Sequence, residues 1–144
     1  MIKIVLFLSI IIGMQMGCEE RSKTDVAQVH WDRDMCKECV MIISDRQNSV
    51  QVRDPQTGKS YMFDDIGCMV LWFKAKNISW KDQAVIWITD LKTGKWIDAR
   101  RAFYDKGNVT PMAFGFSAHQ TKKSMKPNKE IFNFKQVIQE ITNR

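Results

Sequence analysis

The chain has 144 residues, enough for one domain of ordinary size. Its formal net charge is +6, but acidic residues are interspersed with the basic ones along the whole length. That excludes the basic stripe of a nucleic-acid tracker, and no segment after the N-terminal region is apolar enough to span a bilayer.

The first element is a leader. Lys3 precedes an apolar run from Ile4 to Met14, about 11 residues, the length of a signal h-region. Met16-Gly17-Cys18 then places a small residue directly before a cysteine. This resembles a bacterial lipoprotein signal, with residues 1–17 removed and Cys18 lipidated, although Gln15 stands where an aliphatic residue is usual. A conventional cleaved signal or an uncleaved anchor is the alternative. Acyl chains on Cys18 would tether an exported domain to a membrane face. Residues 18–28 read as a polar tether and residues 29–144 as the folded domain. With Cys18 lipidated, Cys36, Cys39 and Cys68 remain. An odd number in an oxidising compartment leaves at least one thiol unpaired, and metal binding is one reason to keep it.

Cys36-Lys37-Glu38-Cys39-Val40-Met41 is the richest motif. Two thiols and a thioether suit a soft ion, above all Cu(I). The C-x-x-C alone reads equally as a redox pair or half of a zinc site. Val40–Ile43 reads as an apolar strand. In extended chain, Cys39 and Met41 would point to the same side and face one ion, with Cys36 a tight turn away. Met41 as plain core filler is the competing reading.

Asp54-Pro-Gln-Thr-Gly-Lys59 recurs as Asp90-Leu-Lys-Thr-Gly-Lys95. Each copy lies between strand-like runs, 49–53 with 60–63 and 84–89 with 96–99, so each predicts a hairpin. Between them, Asp64-Asp65 open a helix from Ile66 to Lys76 that Asn77 ends. Paired carboxylates at that place read as helix-start residues, and Cys68 on the apolar face as a buried inert thiol. Trp72, Trp80, Trp87 and Trp96 read as core. Thr110-Pro111-Met112 breaks the chain in a rigid loop that offers a distant thioether. Residues 113–118 fit a strand or a short helix, and 130–132 alternate like a strand. Asn133 caps an amphipathic run from Phe134 to Ile141. His30 and His119 are isolated and read as surface or capped histidines. The fold class is α+β, with a ββα unit occurring about twice as two lobes of one small domain.

Signal, Asp34–Met41, Phe63-Asp64-Asp65-Ile66, Trp96-Ile97-Asp98-Ala99 and Thr110-Pro111-Met112, in that order, resemble the NosL family, the accessory lipoproteins of nitrous oxide reductase. The resemblance spans residues 30–138. It implies a pair of ββα lobes and a non-enzymatic Cu(I) metallochaperone. It further implies copper held by Cys39, Met41 and Met112, with Cys36 an auxiliary ligand. The implied partners are nitrous oxide reductase, whose copper–sulfide centre is assembled, and its ABC-type maturation complex. The implied place is the periplasmic face of a membrane, the outer one, through lipid on Cys18. Two positions depart from the pattern. Val40 stands where glycine is common, and Asn128-Lys129 replaces a glycine pair. A periplasmic thiol–disulfide oxidoreductase using Cys36 and Cys39 is the competing function.

Overall fold

Both repeats close hairpins, and they do so with the same bonds. Asp54 Oδ1 and Oδ2 accept from the backbone of Gln56 and Thr57 and from the Thr57 hydroxyl. Asp90 Oδ1 accepts from Lys92, Thr93 and the Thr93 hydroxyl in the same way. The backbone closes each loop twice: Asp54 N donates to Lys59 O and Gly58 N to Asp54 O, with Asp90–Lys95 and Gly94–Asp90 as the counterparts. Gly58 and Gly94 sit at φ +74° and +66°, the left-handed region that glycine enters without penalty. The repeat is therefore a turn signature.

In this computed structural model residues 22–144 are described. The leader 1–17, Cys18 and the start of the tether lie outside the described residues. The first hairpin is β1 (Val50–Arg53) with β2 (Ser60–Phe63), and the second is β3 (Val85–Thr89) with β4 (Trp96–Asp98). They meet through an antiparallel β1–β3 pairing, Val50 opposite Ile88, and form one sheet of order β2-β1-β3-β4. Helix α1 (Ile66–Ala75) follows β2. A second sheet pairs β5 (Phe103–Lys106) with β6 (Phe116–His119), and α2 (Phe134–Thr142) follows it. The architecture is α+β with two ββα units, as expected. The second unit is β5-β6-α2, however. The β3–β4 hairpin adds to the first sheet instead of founding the second lobe.

Strand β5 went unforeseen because Phe-Tyr-Asp-Lys carries two charges in four residues. Both find partners, and Lys106 Nζ lies 2.7 Å from Oε2 of Glu140 on α2. Asp105 Oδ1 lies 3.1 Å from Nε2 of His119, which is thus buried and not at the surface. Tyr104 is fully buried and donates its hydroxyl to Ala99 O at 2.7 Å. Residues 130–132 contribute one bridge, Phe132 to Tyr104.

Strand β1 is buried at all four positions because both of its faces are covered. Val50, Val52, Phe63, Ile86 and Ile88 share one core with Ile66, Met69 and Trp72 of α1 and Val137 and Ile141 of α2. Each such side chain contributes about 1.5–3 kcal/mol on burial. The stretch expected as a free tether also binds the sheet. Gln51 exchanges two hydrogen bonds with Ala27, Arg53 donates to Ser22 O and Lys23 O, and the Trp87 indole donates to Thr24 O. Trp87 thus leaves the core for this outer face. Trp72 is buried, and Trp80 and Trp96 pack against the core. Among the described residues no helix is long and apolar enough to cross a membrane.

Candidate metal site

The Cys36–Met41 loop is a third copy of the hairpin closure. Cys36 N donates to Met41 O at 2.8 Å, and Val40 N donates to Cys36 O at 3.1 Å. Cys36 thus occupies the place of Asp54 and Asp90, Cys39 that of Thr57 and Thr93, and Val40 that of the two glycines. In both repeats the first and fourth side chains of the loop meet within 2.8 Å. The same geometry turns Cys36 and Cys39 toward each other. Val40 takes the glycine conformation, φ +64°. A β-branched residue there is strained. The expected strand is reduced to a single bridge, Met35 to Ile42. With Val40 left-handed, the same-side argument for Cys39 and Met41 does not apply.

The thiols meet the start of α1. Asp65 is the N-cap, accepting from Gly67 N at 2.9 Å. Asp64, one residue earlier, turns the other way and accepts from the Cys39 thiol at 3.3 Å. Cys68 lies four residues after Asp64, so both fall on one side of the helix start. The ligand atoms of Cys36, Cys39, Asp64 and Cys68 all lie within 4.8 Å of one another. All three cysteines are free. Cys36, Cys68 and Asp64 are at most 2% exposed, whereas Cys39 is only partly buried. Cys39 is therefore the door of the cluster. Asp64 Oδ1 is buried with no hydrogen-bond partner among the described residues. An unpaired buried oxygen costs about 1–3 kcal/mol, which a bound cation would recover.

The cluster favours one thiolate. The Cys68 thiol donates to Cys36 and, against burial, brings its pKa down to about 6. The same bond holds Cys68 far above its ordinary value. Burial, with Cys36 and Asp64 adding to it, pushes Cys39 up to about 12. Such a layout suits metal capture, where incoming charge replaces a proton. It suits the competing thiol-exchange reading poorly. The anionic sulfur is the inaccessible one, the reachable sulfur is protonated, and the motif leads into a turn instead of a helix N-terminus.

The two expected thioethers are more exposed than the residues of this cluster. Met41 is 47% exposed and Met112 37% exposed. Met112 sits on the loop between β5 and β6, and that loop is fastened to α1. Asp65 Oδ2 accepts from the Thr110 hydroxyl at 2.6 Å and from Met112 N at 3.2 Å. Phe114 lies flat over Gly67, where any Cβ would fall 2.1 Å from the ring. Adjacent carboxylates thus divide the work: Asp64 faces the sulfurs, and Asp65 brings the Met112 loop to the same helix end. Cys68 and Asp64 were missed as site residues, because each also fits the helix pattern. The readable signal was a D-x-x-x-C spacing across a helix start, in a chain with unpaired thiols.

No family model and no curated protein matches the chain. Among solved structures it is similar to the crystal structure of the copper chaperone NosL from Shewanella denitrificans. The TM-score is 0.64 at 15% identity, covering 77% of this chain and 94% of that one. The fold is NosL-like.

Proposed function

We propose that this protein is a Cu(I) carrier, a metallochaperone and not an enzyme, with Cys39 as its exchange ligand. One observation carries the reading: Cys39, the least buried member, stands at the edge of a cluster of three free cysteines. Sulfur donors of this kind suit a soft ion such as Cu(I). The likeness in fold to a copper chaperone supports the reading. Copper is cargo here. Cys39 gives up its proton on capture, and Asp64, already accepting that hydrogen bond, stands next to it. Met41 and Met112 complete the set from the exposed side, and Cys36 is an auxiliary donor. Exposed thioethers leave one side of the ion open to a docked acceptor, so delivery proceeds by ligand exchange.

The finer part of the proposal follows the sequence resemblance. The acceptor is nitrous oxide reductase, reached with its ABC-type maturation complex, and the carrier is held at the periplasmic face of the outer membrane by lipid on Cys18. Deleting the carrier should leave the reductase deficient in its copper–sulfide centre, measured as copper per protein. A fully loaded reductase in the deletion strain would sink this part alone.

Binding itself is tested by titrating the reduced protein with Cu(I) against a competing chelator. Cys39→Ala is expected to weaken binding by more than about 100-fold, and Met41→Ala and Met112→Ala by about 10-fold each. Unchanged affinity in Cys39→Ala contradicts the proposal.

A further inference from the structure

We infer that the end of the molecule opposite the cysteine cluster is a docking face for a membrane surface of anionic phospholipid, and that docking there turns the cluster away from the bilayer. The inference deepens the proposed anchoring through Cys18 and rests on it for what brings the bilayer near.

The path of the chain sets the two ends apart. Strand β2 runs from Ser60, beside the Asp54–Lys59 turn, to Phe63, and Asp64 of the cluster follows at once. Four residues of strand span about 13 Å, so turn and cluster lie at opposite ends of the β1–β2 pair. The N-terminal segment enters at the turn end. Arg53, the last residue of β1, donates to Ser22 O at 3.0 Å and to Lys23 O at 3.1 Å. Lys23 lies against the turn, where a Cβ on Gly58 would meet its side chain at 3.1 Å. Cys18 stands four residues before Ser22, and that length of chain reaches about 14 Å at most. A bilayer holding lipid on Cys18 therefore lies beside the turn end.

The same end gathers cations that are scattered in sequence. Helix α1 runs back from the cluster, and its Trp72 ring meets Tyr61 at 4.9 Å. Lys74 and Lys76 thus arrive at the turn end, and Lys81 follows Trp80, whose ring lies 5.9 Å from Tyr61. Lys59 sits over Tyr61 at 5.3 Å. Arg100 is tied in through Nη2, which donates to Lys81 O at 2.9 Å. These side chains and Lys23 are all exposed. Among the described residues the exposed acids there are Asp25, Asp82 and Asp98, and the Asp54 carboxylate is occupied by its own turn. Each cation near an anionic surface adds about fivefold to its hold. Lys74, Lys81 and Arg100 also rim a cleft of about 340 Å3 between α1 and α2, walled by Val70, Phe73 and Phe134. Cations above apolar walls match an amphiphile such as a phospholipid; a soluble polyanion has no use for the walls.

Lysine labelling tests this on the full chain, reconstituted in vesicles of phosphatidylcholine with or without phosphatidylglycerol. A water-soluble amine-reactive reagent is read lysine by lysine by mass spectrometry. Labelling of Lys59, Lys74 and Lys81 is expected to slow by about fivefold or more on the anionic vesicles. Lys92 and Lys95 serve as controls, since their turn follows Thr89, which pairs with Ser49 at the cluster end. They should label alike on both vesicles. About 1 M salt, which cuts the screening length to about 3 Å, should abolish the difference. The double charge reversal Lys74→Glu with Lys81→Glu should return Lys59 to its rate on phosphatidylcholine and leave Cu(I) affinity unchanged. Equal labelling of all five lysines on both vesicles overturns the inference. Protection of Lys92 and Lys95 instead, or protection of Lys59 that survives the double reversal, does so too. Failure of the anchoring reading looks different: the intact mass lacks acyl chains. That result removes the anchor, and the same five lysines still decide the face.

Discussion

Val40 concentrates the tension between loop and site. Three loops in this chain close with the same two backbone bonds. Two place glycine at the left-handed position, and the third places valine there at φ +64°. A β-branched residue held in that region costs on the order of 1–3 kcal/mol. Val40→Gly should therefore stabilise the metal-free protein by about 1 kcal/mol, net of glycine's greater freedom when unfolded. Thermal unfolding would rise by roughly 3–4 °C. A lower midpoint would mean that the valine side chain earns its place by packing. The glycine departure was legible in the sequence, but the reason for it was not. Cys-Lys-Glu-Cys-Val-Met matches the Asp-Pro-Gln-Thr-Gly-Lys pattern at no position. The common loop shows only in the alternation of side chains that can meet at positions one and four.

At the scale of the element, the start of α1 joins both halves of the site. Asp65 caps the helix and holds the loop of Met112 through two further bonds. Asp65→Ala removes the cap, worth about 1–2 kcal/mol, and frees the loop. Denaturant unfolding should show that loss, and Cu(I) affinity should fall with it as Met112 is released. Full affinity in a destabilised Asp65→Ala protein would detach this loop from the site. Helix and cap were readable from two acidic residues before an apolar run. That the two point in opposite directions was not readable, since it depends on which lies at the N-cap dihedral. Cys68 was hidden for a related reason: a thiol on the buried face of a helix looks the same whether its neighbours are leucines or other thiols.

For the whole molecule, the two hairpins, both helices and the α+β class were legible, because Gly-closed turns and capped amphipathic runs are local signals. The merger of the hairpins was not, since β1–β3 pairing joins residues about 35 apart. Strand β5 was lost because its charges are answered from far along the chain, Asp105 by His119 of β6 and Lys106 by Glu140 of α2. Asp90 shows how turn and tertiary bonds act together. Burial pushes its carboxyl up, but hydrogen bonds from Gln120 N, Thr93 and Lys92 outweigh it and hold the pKa below the ordinary 3.8. Its unfolded form takes up a proton first as pH falls. The stabilisation is thus present above about pH 4 and lost as pH drops through the folded value. Asp90→Asn should lower stability at neutral pH and flatten the loss below pH 4, followed by circular dichroism across an acid titration. An unchanged acid profile would place the sensitive carboxylates elsewhere.

The central claim is that Cys39 is the sulfur on which Cu(I) enters and leaves. Copper-edge X-ray absorption of the Cu(I)-loaded protein, beside Cys39→Ser, tests it most directly. The expected wild-type spectrum shows copper surrounded by sulfur alone, and in Cys39→Ser that shell loses a sulfur and the copper is readily stripped by chelator. An identical sulfur shell and equal retention in Cys39→Ser would contradict it.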